Sequence, residues 1–134
     1  MIKDKAEYIR KVADPTFSKY IRLKESINGR CTCVTCGAVH SYTHMDCGHF
    51  VPRTHMATRY EEANCGPQCH LCNRMQDGMA LAFSLHLVHK YSENKVNWLK
   101  AQTKVIKKFQ LDELKLMVSK WKILIKELEG TEIW

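Results

Sequence analysis

Cys33-Val34-Thr35-Cys36 and Cys69-His70-Leu71-Cys72 are two Cys-x-x-Cys pairs, with 32 residues between them. Between the pairs lies Asp46-Cys47-Gly48-His49, and Asn73 directly follows the last cysteine. Thiolates at this spacing wrap one tetrahedral zinc, each pair forming a tight knuckle. Zinc bound by Cys33, Cys36, Cys69 and Cys72 would supply on the order of 10 kcal/mol to a small fold. It would also draw Asp46, His49 and Asn73 together. Cys31 could replace Cys33, and Cys65 is near enough to Cys69 to compete, but both alternatives lose the two-residue spacing. Cys47 and Cys65 otherwise read as buried free thiols.

The chain has 134 residues, 45% of them apolar, which suits one domain with a modest core. Its net charge is +7. Residues 1–30 and 74–134 contribute +4 each, and residues 31–73 contribute −1. Basic flanks around a near-neutral centre suit an anionic partner that must leave room for a cation. Solvated helix faces are the competing reading of any single lysine. Seven cysteines read as metal ligands in a reducing compartment. No apolar run reaches membrane-spanning length and no signal peptide is evident, so a cytoplasmic protein with no membrane partner is expected.

The fold class expected is α+β: a small zinc-stapled core over 31–78, flanked by a helical N-terminal arm (1–30) and a helical C-terminal region (79–134), all in a single domain. The arm reads as a short helix over 3–12 and a second one starting at Asp14-Pro15, with Asp14 as N-cap. The second runs through Thr16 to Ser26 and stops at Asn28-Gly29, with Phe17, Tyr20 and Ile21 inward and Lys19, Arg22 and Lys24 outward. Residues 30–52 read as a knuckle leading into a β-hairpin, 53–68 as a loop, and Cys69 to about Met75 as a helix. Ala80–Tyr91 reads as a helix burying Leu81, Leu85 and Val88. A second runs from Ser92 to about Phe109, capped by Ser92 or Asn94. A third, Leu111–Leu128, carries Leu114, Met117, Val118, Trp121, Leu124, Ile125 and Leu128 as a stripe for a core or a dimer face.

Hydrolysing a phosphodiester takes an activated water and a cation on the scissile phosphate. A neutral histidine takes the water's proton, and Asp and Asn oxygens suit magnesium. His49, Asp46 and Asn73 make up that set. Asp46 could instead cap a turn or orient His49. His44, His55 and His70 have no spacing that demands ligation. Arg53 and Arg59 follow His49 and could fork onto DNA phosphates, as could Arg74, Arg22 and Lys19. An ion pair of Arg59 with Glu61 or Glu62 is the competing view.

The order Cys-x2-Cys, Asp-x-Gly-His, Asn, Cys-x2-Cys-Asn resembles the zinc-stapled HNH (ββα-metal) nucleases. More narrowly, four stretches resemble the phage NinG/Rap recombination endonucleases: Phe17-Ser18-Lys19-Tyr20-Ile21-Arg22-Leu23, Asp46-Cys47-Gly48-His49-Phe50, Ala57-Thr58-Arg59 and Gln68-Cys69-His70-Leu71-Cys72-Asn73. The likeness runs from about residue 14 to 125. It implies a ββα-metal core and a metal-dependent endonuclease acting on branched DNA, including Holliday junctions and D-loops, with structural zinc and catalytic magnesium or manganese. By that likeness His49 matches the general base, Asn64 the asparagine bracing the base's loop, and Asn73 a metal ligand. One departure is Gly48, where many HNH enzymes place a ligand. Asp46 shares its strand face and could reach the same magnesium.

The phage context implied places the protein in the host cytoplasm. Two nicks per junction imply a homodimer, with the 111–128 stripe as one candidate face. Two other readings stand beside this one. A non-catalytic zinc module binding DNA or a recombination partner needs neither His49 nor Asn73. An HNH nicking enzyme on duplex DNA would want a sequence-reading module that the chain does not display.

Overall fold

The computed structural model describes residues 4–75 and 78–131. The chain opens with one unbroken helix: α1 (Lys5–Tyr8), a π turn (Ile9–Ala13) and α2 (Asp14–Lys24). This corrects the expected break at Asp14. Pro15 has no N–H, and its ring crowds the carbonyl four residues back. The wider turn absorbs this, with the Asp14 N–H reaching Ile9 O, five residues back. Asp14 therefore does not cap a helix. Nor do Asn28 and Gly29 end one: at φ 53° and 76° they form a two-residue turn bridging Ile27 and Arg30.

Strands β1 (Arg30–Thr32) and β2 (Val39–Ser41) pair antiparallel and hold the first cysteine pair between them. Strand β3 (Met45–His49) pairs antiparallel with β4 (Cys65–Cys69), and α4 (His70–Arg74) follows at once. The expected loop over 53–68 thus contains α3 (Met56–Arg59), a 3-10 turn (Glu62–Asn64) and most of β4. β4 reads Cys-Gly-Pro-Gln-Cys and is buried at four consecutive positions, so no polar alternation marks it. Asp46 lies opposite Gln68, and Gly48 lies opposite Gly66. The fully buried Gln68 side chain leans over Gly48, where an added Cβ would sit 2.3 Å from its Oε1. Only glycine fits there.

Helices α5 (Ala80–Lys90), α6 (Glu93–Ala101) and α7 (Leu111–Thr131) complete the fold. Ser92 caps α6, accepting the Lys95 N–H at 3.0 Å. α6 stops well short of Phe109, where Thr103 Oγ1 donates to the Lys100 carbonyl at 2.8 Å and competes with the helical ladder. On α5 the expected face is the wrong one. Leu81, Leu85 and Val88 are 76%, 63% and 40% exposed, while Phe83 and Leu87 pack with Val51, Val96 and Leu99. The helix is apolar on two sides, and spacing alone does not choose between them.

The α7 stripe is core. Val118, Trp121 and Ile125 pack with Ala13, Phe17, Tyr20, Ile21 and Leu23 of the first helix. That burial removes the stripe as a docking face for a second copy. No helix among the described residues is long and apolar enough to cross a membrane.

Phe17 ties this core to the central strands. Its ring lies 5.0 Å from Trp121, 5.3 Å from Tyr60 and 6.4 Å from the His49 ring. Phe17→Ala is expected to lower unfolding free energy by about 3–5 kcal/mol in urea titration. A loss under about 1 kcal/mol would place the core elsewhere.

Candidate metal centre and cleft

The sulfurs of Cys33, Cys36, Cys69 and Cys72 lie within 4.8 Å of one another. Two hairpin elements supply them: the β1–β2 turn, and the end of β4 with the start of α4. The Cys36 and Cys69 sulfurs are 3.8 Å apart, close to the ~3.8 Å edge of a tetrahedron with zinc–sulfur bonds of about 2.3 Å. The donor set fits zinc. Burial raises the Cys33 thiol, but the Thr35 hydroxyl and the knuckle N–H groups of Cys69, Cys36 and Thr35 outweigh it and bring it down to about 6. Hydrogen bonds from Ala38 and Thr35 pull Cys36 and Cys72 down respectively, but burial and the neighbouring sulfurs outweigh them and both thiols are raised. Neighbouring thiols resist ionising together, which a bound cation relieves. Neither Cys31 nor Cys65 belongs to this cluster.

A cleft of about 550 Å³ opens beside it, lined by Asp46, His49, Arg53, Asn73, Arg74 and Gly78 among others. Three of the expected site residues, Asp46, His49 and Asn73, therefore share one wall. Asp46 Oδ2 accepts from Asn73 Nδ2 at 3.0 Å, and Asp46 Oδ1 pairs with His70 Nδ1 at 2.8 Å. Burial pushes the Asp46 carboxyl up, but the hydrogen bonds from His70 and Asn73, then the charges of His70 and Arg74, hold it below the usual range. Carboxylate and amide oxygens suit a hard divalent ion. His70 joins this group although nothing in its sequence spacing demands ligation. Its signal was helical: His70 and Asn73 stand three apart on α4, hence on one face.

His49 ends β3. Its Nε2 lies 2.9 Å from the Arg59 carbonyl, which can only accept, so Nε2 carries the hydrogen and Nδ1 the lone pair. Burial lowers its pKa to about 4, against the opposing pull of that carbonyl. Asn64 is fully buried and braces the intervening loop. Its Oδ1 accepts from the Val51 N–H at 2.8 Å, and its Nδ2 donates to Val51 O at 3.0 Å and Thr58 O at 3.2 Å.

The basic residues divide. Arg53 and Arg74 line the cleft. Arg59 is held by Asp14, not by Glu61 or Glu62: Nε donates to Oδ1 at 3.0 Å, and a second guanidinium nitrogen pairs with Oδ2. Tyr60 also donates to Asp14 Oδ1, at 2.8 Å. Arg22 donates to the carbonyls of Ser18 and Tyr42, and Lys19 pairs with Glu129 at 3.4 Å. Arg59 and Arg22 tie the first helix to the central segments, while the Lys19 pair lies half exposed at the surface.

The chain matches the model of the family described as Bacteriophage Lambda NinG protein over residues 1–132. It belongs to that family. No curated protein and no solved structure gives a significant match.

Two outcomes follow. Cys72→Ser is expected to lose the cooperative thermal transition of the wild type, because three thiolates hold zinc poorly. An unchanged melting curve would mean that the cluster does not support the fold. His49 should contribute a pH dependence. Its folded value is about 4 against about 6.5 when exposed, so the unfolded chain binds the proton first. Stability from His49 is complete above about pH 6.5 and is lost as pH falls through 4, on the order of 3 kcal/mol. His49→Asn should flatten that slope in urea titrations, and an equal slope would contradict the burial.

Proposed function

We propose that the protein is a metal-dependent endonuclease of the HNH, ββα-metal type that cuts branched DNA. One observation carries this: Asp46, His49 and Asn73 line a single cleft together with Arg53 and Arg74. Asp46 and His49 on β3, and Asn73 and Arg74 on α4, with β4 between them in the chain, support the reading of a β-β-α core.

Each residue has a task. The Arg59 carbonyl fixes the His49 ring, and the Nδ1 lone pair accepts a proton from the attacking water. Asp46 and Asn73, with His70 beside them, would hold magnesium or manganese. Such an ion, when bound, would supply positive charge to the scissile phosphate and the departing 3′ oxygen. Arg53 and Arg74 grip flanking phosphates and orient the strand. The products are a 5′-phosphate and a free 3′-hydroxyl. Cys33, Cys36, Cys69 and Cys72 would hold zinc, which would keep α4 against β3 and Asn73 beside Asp46. A four-way junction needs two nicks, so two copies act on one junction.

His49→Ala should slow cleavage of a four-way junction in magnesium by about 100-fold or more, with its fold intact by circular dichroism. Cleavage at the wild-type rate would remove His49 as the base. Arg53→Ala should weaken junction binding and reduce the salt dependence by about one ion. An unchanged salt slope would take Arg53 off the phosphate path.

A further inference from the structure

Apart from the four-cysteine cluster, one group of soft metal ligands stands out among the described residues. Ligand atoms of Cys47, His49 and Cys65 all lie within 4.8 Å of one another. The register explains this. Cys47 and His49 are two apart on β3 and share a face, and Cys65 of β4 lies opposite His49. Asp46 alternates to the other face of β3 and is engaged by His70 and Asn73, so it is not one of these ligands, although it lines the same cleft as Cys47 and His49. Two thiols and an imidazole are a ligand set for zinc, cadmium or cobalt, and a poor one for magnesium. A tetrahedral ion needs a fourth ligand. A small cavity of about 60 Å³, lined by Asp14, Phe17, Ser18, Cys47, His49 and Arg53, adjoins two of the three side chains. It is large enough for a water.

We propose that Cys47, His49 and Cys65 form a second metal site, for a thiophilic divalent ion with water in the fourth position. Binding releases both thiol protons to solvent and leaves two metal–thiolate bonds and one metal–nitrogen bond. The ion takes the imidazole lone pair. Zinc beyond that held by the four-cysteine cluster is thereby an inhibitor that competes for His49 and leaves Asp46 and Asn73 alone. Metal capture needs no nuclease activity; the inhibition rests on His49 being the base.

The full-length chain, with its staple zinc in place and its thiols reduced, is titrated with cobalt(II). One further equivalent should bind, with thiolate-to-cobalt charge-transfer absorption and the visible bands of a tetrahedral ion. Cys47→Ala, which leaves the buried Cys65 in the core, should lose those bands and keep its staple zinc. Cys65→Ser should lose them too. Absence of charge-transfer bands in the wild type, or their persistence in Cys47→Ala, overturns the site. In a junction-cleavage arm, a second equivalent of zinc should stop the wild type and spare Cys47→Ala. If the cobalt bands form and zinc leaves cutting unchanged, the inhibitory role is overturned while the site stands. A protein that never cuts would still report the site by its spectrum.

Discussion

Four sulfurs from two distant pieces of chain converge at one point, where a zinc would close the cleft between them. The β1–β2 turn brings Cys33 and Cys36, and the β4–α4 junction brings Cys69 and Cys72. α4 has five residues, far too few to be stable alone. Its first turn is anchored by Cys72 in the cluster, and its polar face then delivers His70 and Asn73 to Asp46. Thr35 extends the same junction: its hydroxyl contacts Cys33 Sγ at 3.3 Å and accepts from Gln68 Nε2 at 3.1 Å. Gln68 also donates to the Gly78 carbonyl on the cleft wall, at 2.7 Å. The four-cysteine group and the cleft therefore share a buried polar connection.

The other side of the cleft is fixed by the first helix. Asp14 holds Arg59 and Tyr60, and the Arg59 carbonyl then orients His49. Burial first raises the Asp14 carboxyl, and its bonds to Arg59 and Tyr60 bring it below the usual range. A chain of two contacts thus runs from a helix in the core through Arg59 to the imidazole. α7 supports it from behind, through Trp121 against Phe17 and Tyr60. Asn64 closes the loop between the two strands by satisfying both polar groups of Val51. The protein thereby keeps a histidine and a carboxylate on fixed backbone, which is what reaction at a single phosphate requires.

Local spacing was the legible part of this molecule. The two cysteine pairs, the Ser92 cap and the α7 stripe follow from residues within one or two turns of each other, and the structure agrees with each. The companions of Asp46 were half legible: Asn73 by its place after Cys72, His70 only once α4 is given a face. Three features were hidden for physical reasons. β4 contains Gly66 and Pro67 and is buried on both sides, so neither alternation nor propensity reveals it. α5 offers two apolar faces, and only Val51 and α6 decide which one turns inward. Asp14-Pro15 has the form of a helix start, but a π turn carries the helix through it and frees the carboxylate for Arg59. Each was settled by a partner far away in sequence.

The proposed activity is cutting of DNA at branch points by one cleft. Purified protein incubated in magnesium with duplex, fork and four-way junction, side by side, tests it. Nicks in the junction that leave 5′-phosphates, with the linear duplex largely spared, are the expected result. Binding of all three substrates with no cut in magnesium or manganese would contradict it, and would leave a zinc-stapled module that only binds.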